Sequence, residues 1–305
     1  MEVYLAQPRG FCIGVTRALK LVDDTLQQFG APIYVRHEIV HNKHIVENLK
    51  QQGVVFIENL EEVADRTRPL IFSAHGIPQK IQEQAKQKKL HTIDATCPLV
   101  ESVHQQIKKI EASGAEIIVI GKTRHPEIQG TIGQLKNPAS AHIIATLEEA
   151  QKLSLSEETP VGIVTQTTLS VSETKEIISY LQGRFKNIVN TNHYNICLAT
   201  THRQQAVQKL VEKTKNILII GSKNSSNSTH LRETAIQYGA GQAWLIDDAT
   251  EVDWVALDLC DSIGISAGAS APEYLVSDLL DKIQQRYHNV NLHDVIVKEE
   301  RMMLK

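Results

Sequence analysis

Three cysteines, Cys12, Cys97 and Cys197, each stand just ahead of a helical pattern: "GFCIGVTRALKLV", "DATCPLVESVHQQI" and "YNICLATTHRQQAV". Counting onward from each reaches a polar loop. His41 follows Cys12 by 29 residues, His125 follows Cys97 by 28, and Ser225 follows Cys197 by 28. A second polar loop recurs farther on, with His75 at 63 residues from Cys12, Thr168 at 71 from Cys97 and Ser270 at 73 from Cys197. The same order three times over reads as an internal repeat of about a hundred residues, each copy offering one thiol and two polar loops. Taken singly, a lone cysteine is ordinarily a small buried apolar residue. Cys260, in "LDLCDSIGI", matches none of the repeated surroundings and fits that plainer reading.

If the three units pack around a pseudo-threefold axis, their cysteines converge. Helix N-termini carry unsatisfied N–H groups and partial positive charge, a setting that favours anionic sulfur. Three thiolates are too few for a closed four-ligand site. Two centres suit them: zinc with an open position, or a cubane iron–sulfur cluster with one iron not held by protein. Zinc sites typically use close local spacings, and ligands 85 and 100 residues apart suit a cluster enclosed between domains. Both remain open on spacing alone.

The loops supply neutral donors: His41, His75, Ser225, Ser226, Asn227 and Ser270. Hydroxyls, amides and helix-start N–H groups bind phosphate oxygens without a strong fixed charge. A plain helix N-cap with spare serines, and ordinary loop histidines, would read the same way. Glu127, in "GKTRHPEIQGTIG", is the one carboxylate in these loops. Beside a phosphate it costs Coulomb energy unless it carries a proton, which would raise its pKa toward the donating range. His125 and Glu127 therefore read as a proton-delivery element, with the Thr168 hydroxyl able to pass the proton on.

The elements that must position these groups alternate along the whole chain. Strand patterns such as "AEIIVIGK", "PVGIVTQTT", "NILIIGSKN" and "SIGISAG" are continuous apolar runs bounded by glycine or polar residues, as in strands covered on both faces. Helical stretches such as "TRALKLVDDTLQQFG" and "THRQQAVQKLVEKTK" lie between them. The expected architecture is α/β with mostly parallel sheets, in units at 1–96, 97–193 and 194–285 followed by a tail at 286–305. Polar loops at the carboxyl ends of parallel strands are where such sheets place ligands. No G-x-G-x-x-G or Walker A pattern follows the first strand, which disfavours a dinucleotide or P-loop enzyme.

Bulk properties narrow the field further. With 305 residues, 42% of them hydrophobic, the chain can bury one large or several small cores. A formal net charge of −3 gives no reason to expect nucleic-acid or anionic-membrane binding. No apolar run approaches the roughly 18–20 residues that span a bilayer. Nor does the start of the chain read as a secretory signal. Four cysteines with no C-x-x-C pair do not suggest a disulfide scaffold, and a cytoplasmic protein is expected.

The stretches "PRGFCIGVTRAL", "APIYVRHEIVHN", "IFSAHG", "DATCPLV", "HPEIQGT", "TQTTLSV", "GSKNSSNS" and "AGASAP" together resemble the signature segments of the 4-hydroxy-3-methylbut-2-enyl diphosphate reductases, in order, from about residue 1 to about residue 290. The resemblance implies a cloverleaf of three α/β domains around one [4Fe–4S] cluster per chain, held by Cys12, Cys97 and Cys197 with one iron left for substrate. It places His41, His75, Ser225, Ser226, Asn227 and Ser270 on the diphosphate and His125 beside the substrate. Glu127 falls on the proton donor and Thr168 near the substrate hydroxyl. The implied reaction is reductive dehydroxylation of the allylic diphosphate to isopentenyl and dimethylallyl diphosphates, with ferredoxin or flavodoxin as electron donor. Two rivals stand beside it: a zinc enzyme acting on a phosphorylated metabolite, and a non-catalytic diphosphate-binding protein with merely buried cysteines.

Overall fold

A computed structural model describes residues 1–189 and 195–298. Strand β1 (Glu2–Gln7) opens the chain. Next come β2 (Ile33–Arg36), β3 (Val54–Ile57), β4 (Leu70–Phe72) and β5 (Thr92–Asp94), then β6 (Glu116–Ile120), β7 (Ala141–Ile144) and β8 (Val161–Thr165). The last group is β9 (Asn216–Ile220), β10 (Gln242–Ile246), β11 (Ser262–Ala267) and β12 (Asn291–Ile296). Among the described residues they form three sheets, ordered β3-β2-β4-β5, β7-β6-β8 and β10-β9-β11-β1-β12. Every strand pairing is parallel. The α/β reading holds.

Parallel strands need helical crossovers, and these cover both sheet faces, so the strands read as unbroken apolar runs. In β6, Ile118 and Ile120 pack with Ile177, Ile178 and Leu181 of helix Val171–Arg184. The alternate residues Ile117 and Val119 pack with Val103, Ile107 and Ile110 of helix Pro98–Ala112. The same division recurs around β9. Leu218 and Ile220 face Leu275 and Leu279 of helix Glu273–Arg286, while Ile217 and Ile219 face Val207 and Leu210 of helix Leu198–Lys213.

The three sheets share one topology. In each, the first strand after a cysteine helix sits second in the order (β2, β6, β9), flanked by the next strand on one side and the third on the other. The segment leading into the next cysteine then adds beside the third strand. That segment is β5 ahead of Cys97, a single parallel bridge from Val161 to Ile188 ahead of Cys197, and β1 ahead of Cys12. Sheet membership and the sequence boundaries therefore part in two places. Glu2–Gln7 lies within 1–96 but hydrogen-bonds into the sheet of β9–β11, and Asn291–Ile296, inside the expected tail, is an edge strand paired with β1 from Glu2 to Gln7.

Backbone contacts divide the chain into two compact units. One comprises Met1–Val15, His41–Ile45 and the chain from Leu198 onward, and holds the five-stranded sheet. The other comprises Thr16–Val40 and Val46–Cys197, and holds the two smaller sheets. No helix among the described residues is long and apolar enough to cross a membrane.

Candidate functional site

Each of the three repeated cysteines begins a helix. Cys12 precedes Ile13–Phe29, Cys97 is the N-cap residue of Pro98–Ala112, and Cys197 precedes Leu198–Lys213. All three are partly exposed and none is in a disulfide. Their backbone N–H groups follow one rule. Cys12 donates to the carbonyl of Ala269 at 3.2 Å, Cys97 to Ala74 at 3.0 Å and Cys197 to Thr167 at 3.0 Å. Those acceptors immediately precede Ser270, His75 and Thr168. Each cysteine backbone is thus tied to the second polar loop of the repeat before it, not to the one 63–73 residues downstream, because the segment entering each cysteine lies beside the third strand of the preceding repeat.

Cys260 has a different setting. Its thiol donates to the carbonyl of Ala256 at 3.4 Å and it packs against the core beside β11. Burial, with Asp261 adding to it, pushes its pKa up, the opposite of what a thiolate ligand needs. Cys12 lies in the first compact unit and Cys97 and Cys197 in the second. Among the described residues no three His, Cys, Asp or Glu side chains gather as ligands of a single metal ion. A cubane asks for less crowding than one zinc ion, since each thiolate takes a separate iron. Three unbridged, reachable thiols at helix starts fit such a cluster by donor chemistry.

In the second unit, β6 runs into a loop that ends at His125 and then into a helix whose first turn carries Glu127. His125 is the N-cap residue of helix Pro126–Ile132, and its Nδ1 accepts from the N–H of Glu127 at 3.2 Å. Pro126 suits the first helical position because its missing N–H would be unsatisfied there anyway. Glu127 is 3% exposed. Its two carboxyl oxygens accept from Thr167, one from the backbone N–H at 2.6 Å and the other from Oγ1 at 3.0 Å. Burial raises its pKa to about 7, and the two Thr167 bonds hold it from going higher. The sequence argument anticipated a raised pKa from a neighbouring phosphate; removal from water accounts for it within the protein itself.

This carboxyl also shapes stability. The folded protein holds the Glu127 proton more tightly than the unfolded chain does, so stability falls as pH rises from about 4.5 to about 7. The contribution is on the order of 3 kcal/mol. Glu127→Gln should flatten the corresponding difference between urea-unfolding free energies measured at pH 5 and pH 8.

The neighbouring side chains are fixed in turn. Gln166 accepts from the N–H of Lys122 at 3.1 Å and donates through Nε2 to Thr168 Oγ1 at 3.0 Å. Ser73 Oγ lies 3.3 Å from His75 Nδ1, and the His75 and His125 rings meet edge to face at 5.8 Å. Behind His75, Gly76 adopts φ +84°, and the space a Cβ would fill is taken by the buried His104 ring at 2.5 Å. Thr167 is the residue that sequence reasoning missed. The "TQTT" loop offered two adjacent hydroxyls, and the one bonded to Glu127 is the first.

In the first unit, Ser225 caps helix Ser226–Gln237 by accepting from the N–H of Ser228. Ser225, Ser226, Asn227 and Ser270 are all buried. Ser270 Oγ donates to the carbonyl of His41 at 2.9 Å and lies 3.4 Å from Ser225 Oγ. Both amide atoms of Asn227, Oδ1 and Nδ2, are buried without a hydrogen-bond partner. A native fold rarely strands a buried amide, which points to an external partner. Helix-start N–H groups, hydroxyls and an unpartnered amide together suit phosphate oxygens.

Residues 3–284 match the family described as LytB protein. A 4-hydroxy-3-methylbut-2-enyl diphosphate reductase of Ruegeria sp. (strain TM1040) is 44% identical over 305 residues, spanning 100% of this chain and 96% of the relative. One from Escherichia coli O1:K1 / APEC is 46% identical over 288 residues, 93% and 90% of the two chains. Among solved structures, the E-1-hydroxy-2-methyl-but-2-enyl-4-diphosphate reductase of Plasmodium falciparum superposes with a TM-score of 0.92 at 35% identity, over 99% of this chain and 94% of that one.

Proposed function

The chain belongs to the LytB protein family, and on that premise we propose that it reduces (E)-4-hydroxy-3-methylbut-2-enyl diphosphate to isopentenyl and dimethylallyl diphosphates, the last step of the non-mevalonate isoprenoid pathway. The reaction takes up two electrons and two protons: the C–O bond breaks, the hydroxyl leaves as water and an allylic carbon gains a proton. Cys12, Cys97 and Cys197 would hold a [4Fe–4S] cluster. When bound, that group supplies electrons singly and a Lewis-acidic iron free of protein ligands. Single-electron delivery suits ferredoxin or flavodoxin as the donor.

The protein's own residues do the rest. Ser225, Ser226, Asn227 and Ser270, with His41 and His75, bind the diphosphate through neutral donors. His125 and Thr168 line the substrate's reacting end. Glu127 holds the proton. The observation that carries this reading is a fully buried carboxyl, poised at about pH 7, hydrogen-bonded to a threonine hydroxyl in the loops that the family resemblance assigns to substrate.

The test is anaerobic purification followed by addition of the allylic diphosphate. Brown protein with about four iron and four sulfide per chain, oxidising a reduced one-electron dye only when substrate is present, supports the proposal. Colourless, zinc-loaded protein inert to the substrate refutes it. Asn227→Ala should then raise KM, and the Kd for inorganic pyrophosphate, by about 10–100-fold with cluster content unchanged, the usual loss for a hydrogen bond to a charged ligand.

A further inference from the structure

Every cysteine helix reaches, with one polar side chain, the segment that leads into the next cysteine. From helix Ile13–Phe29, Arg17 donates through Nη1 to the carbonyl of Thr96 at 2.9 Å, the residue before Cys97. From helix Pro98–Ala112, Gln106 accepts at 2.6 Å from Asn195 Nδ2, two residues before Cys197. From helix Leu198–Lys213, Arg203 donates through Nε to the carbonyl of Gly10 at 3.0 Å and through Nη2 to that of Phe11 at 3.2 Å, directly ahead of Cys12. Its Nη1 meets the Ala199 carbonyl at 2.9 Å. Arg203 is 0% exposed, the largest side chain among those fully buried.

Resting on the family reading above, we propose that Arg203 and Arg17 are positioning residues for the Cys12 and Cys97 ligands, and that their charges raise the reduction potential of the cluster. Two consequences of the geometry support this. Gly10 sits at φ +68° with its N–H on the Ala267 carbonyl, a bent approach to Cys12 that the Arg203 fork pins at two successive carbonyls. A guanidinium also remains charged when buried, so Arg203 places a permanent cation beside the peptide that carries a thiolate. A cluster that gains an electron becomes more negative, and nearby positive charge and hydrogen bonding favour that state. The Cys197 entry, held by the neutral Asn195–Gln106 pair, lacks this contribution from its clamp.

The plain alternative is that these arginines only tie down loops, as Arg184 does by donating to the carbonyls of Ala150, Leu153 and Leu155. Arg184 is therefore the control. In the anaerobic holoenzyme, Arg17→Gln, Arg203→Lys, Arg203→Met and Arg184→Met are compared by redox titration, by the rate of bleaching with a chelator and by thermal midpoint. Arg17 is exposed, so Arg17→Gln should keep the wild-type thermal midpoint, lower the reduction potential and bleach about 10–100-fold faster. Arg203→Lys keeps the charge without the fork, and should hold the potential while bleaching faster. Arg184→Met should lower the thermal midpoint and leave the other two readouts alone. Wild-type potential and bleaching in both Arg17→Gln and Arg203→Lys would overturn the proposal, as would an equal shift of potential in Arg184→Met. Should Arg203→Met fail to fold, the first two variants decide. Wild-type protein that takes up no cluster would sink the proposed function and this proposal together, an outcome distinct from a normal cluster indifferent to Arg17.

Discussion

Cys97→Ser is expected to lose the iron–sulfur chromophore and turnover together, while Cys260→Ser keeps both. The contrast rests on surroundings that differ in kind. Cys97 is partly exposed, caps a helix of fifteen residues and has its N–H fixed on the carbonyl that precedes His75. A serine there keeps the backbone geometry but exchanges a soft thiolate for a hard hydroxyl, a poor partner for iron in a sulfide cubane. Loss should be all but complete, since a centre held at three points has little redundancy. Cys260 bonds the Ala256 carbonyl of the short helix Trp254–Leu257 that precedes it and packs on the core, so Cys260→Ser costs packing alone. Iron and sulfide content, the visible spectrum and substrate-dependent dye oxidation on the same anaerobic samples measure all of this. Bleaching by Cys260→Ser would break the ligand assignment.

Glu127→Gln is expected to lower turnover by about 10²–10⁴-fold, the usual contribution of a positioned acid, with cluster content unchanged and KM altered little. An amide keeps the shape and can still accept from Thr167, but has no proton to give. In the wild type the donating form is the protonated one. It predominates below about pH 7, so activity should fall as pH rises through that value. Thr167→Val removes one of the two bonds that favour the carboxylate, so it should move that alkaline limb to higher pH. Undiminished turnover in Glu127→Gln, or an alkaline limb that persists unchanged in it, would remove Glu127 from the role of donor.

Much of this was legible in the sequence, for physical reasons that can be named. Unbroken runs such as "EIIVI" and "NILII" announce strands buried on both faces, and those strands are parallel and covered on both sides. Cysteine at a helix start is a local signal, and all three thiols occupy such starts. Long-range pairing was not legible, because an apolar run states that it will be buried and not beside which neighbour. Thus β1 gave no sign of joining strands more than two hundred residues away. Asn291–Ile296 mixes polar and apolar residues with no continuous apolar run, and with Leu292 and Ile296 exposed as an edge strand it looked like a tail. The Thr167–Glu127 and Arg203–Gly10 contacts span 40 and 193 residues, beyond the reach of any spacing rule.

The placement of β1 also bears on how the chain is made. Glu2–Gln7 is synthesised more than two hundred residues before its neighbours β11 and β12. The two smaller sheets can close while translation proceeds, whereas this strand, with Val3 and Ala6 destined for full burial, stays without its mates until β11 and β12 emerge. Its keeping in that interval falls to whatever shields nascent apolar segments in the cell, and the five-stranded sheet is the last to be completed.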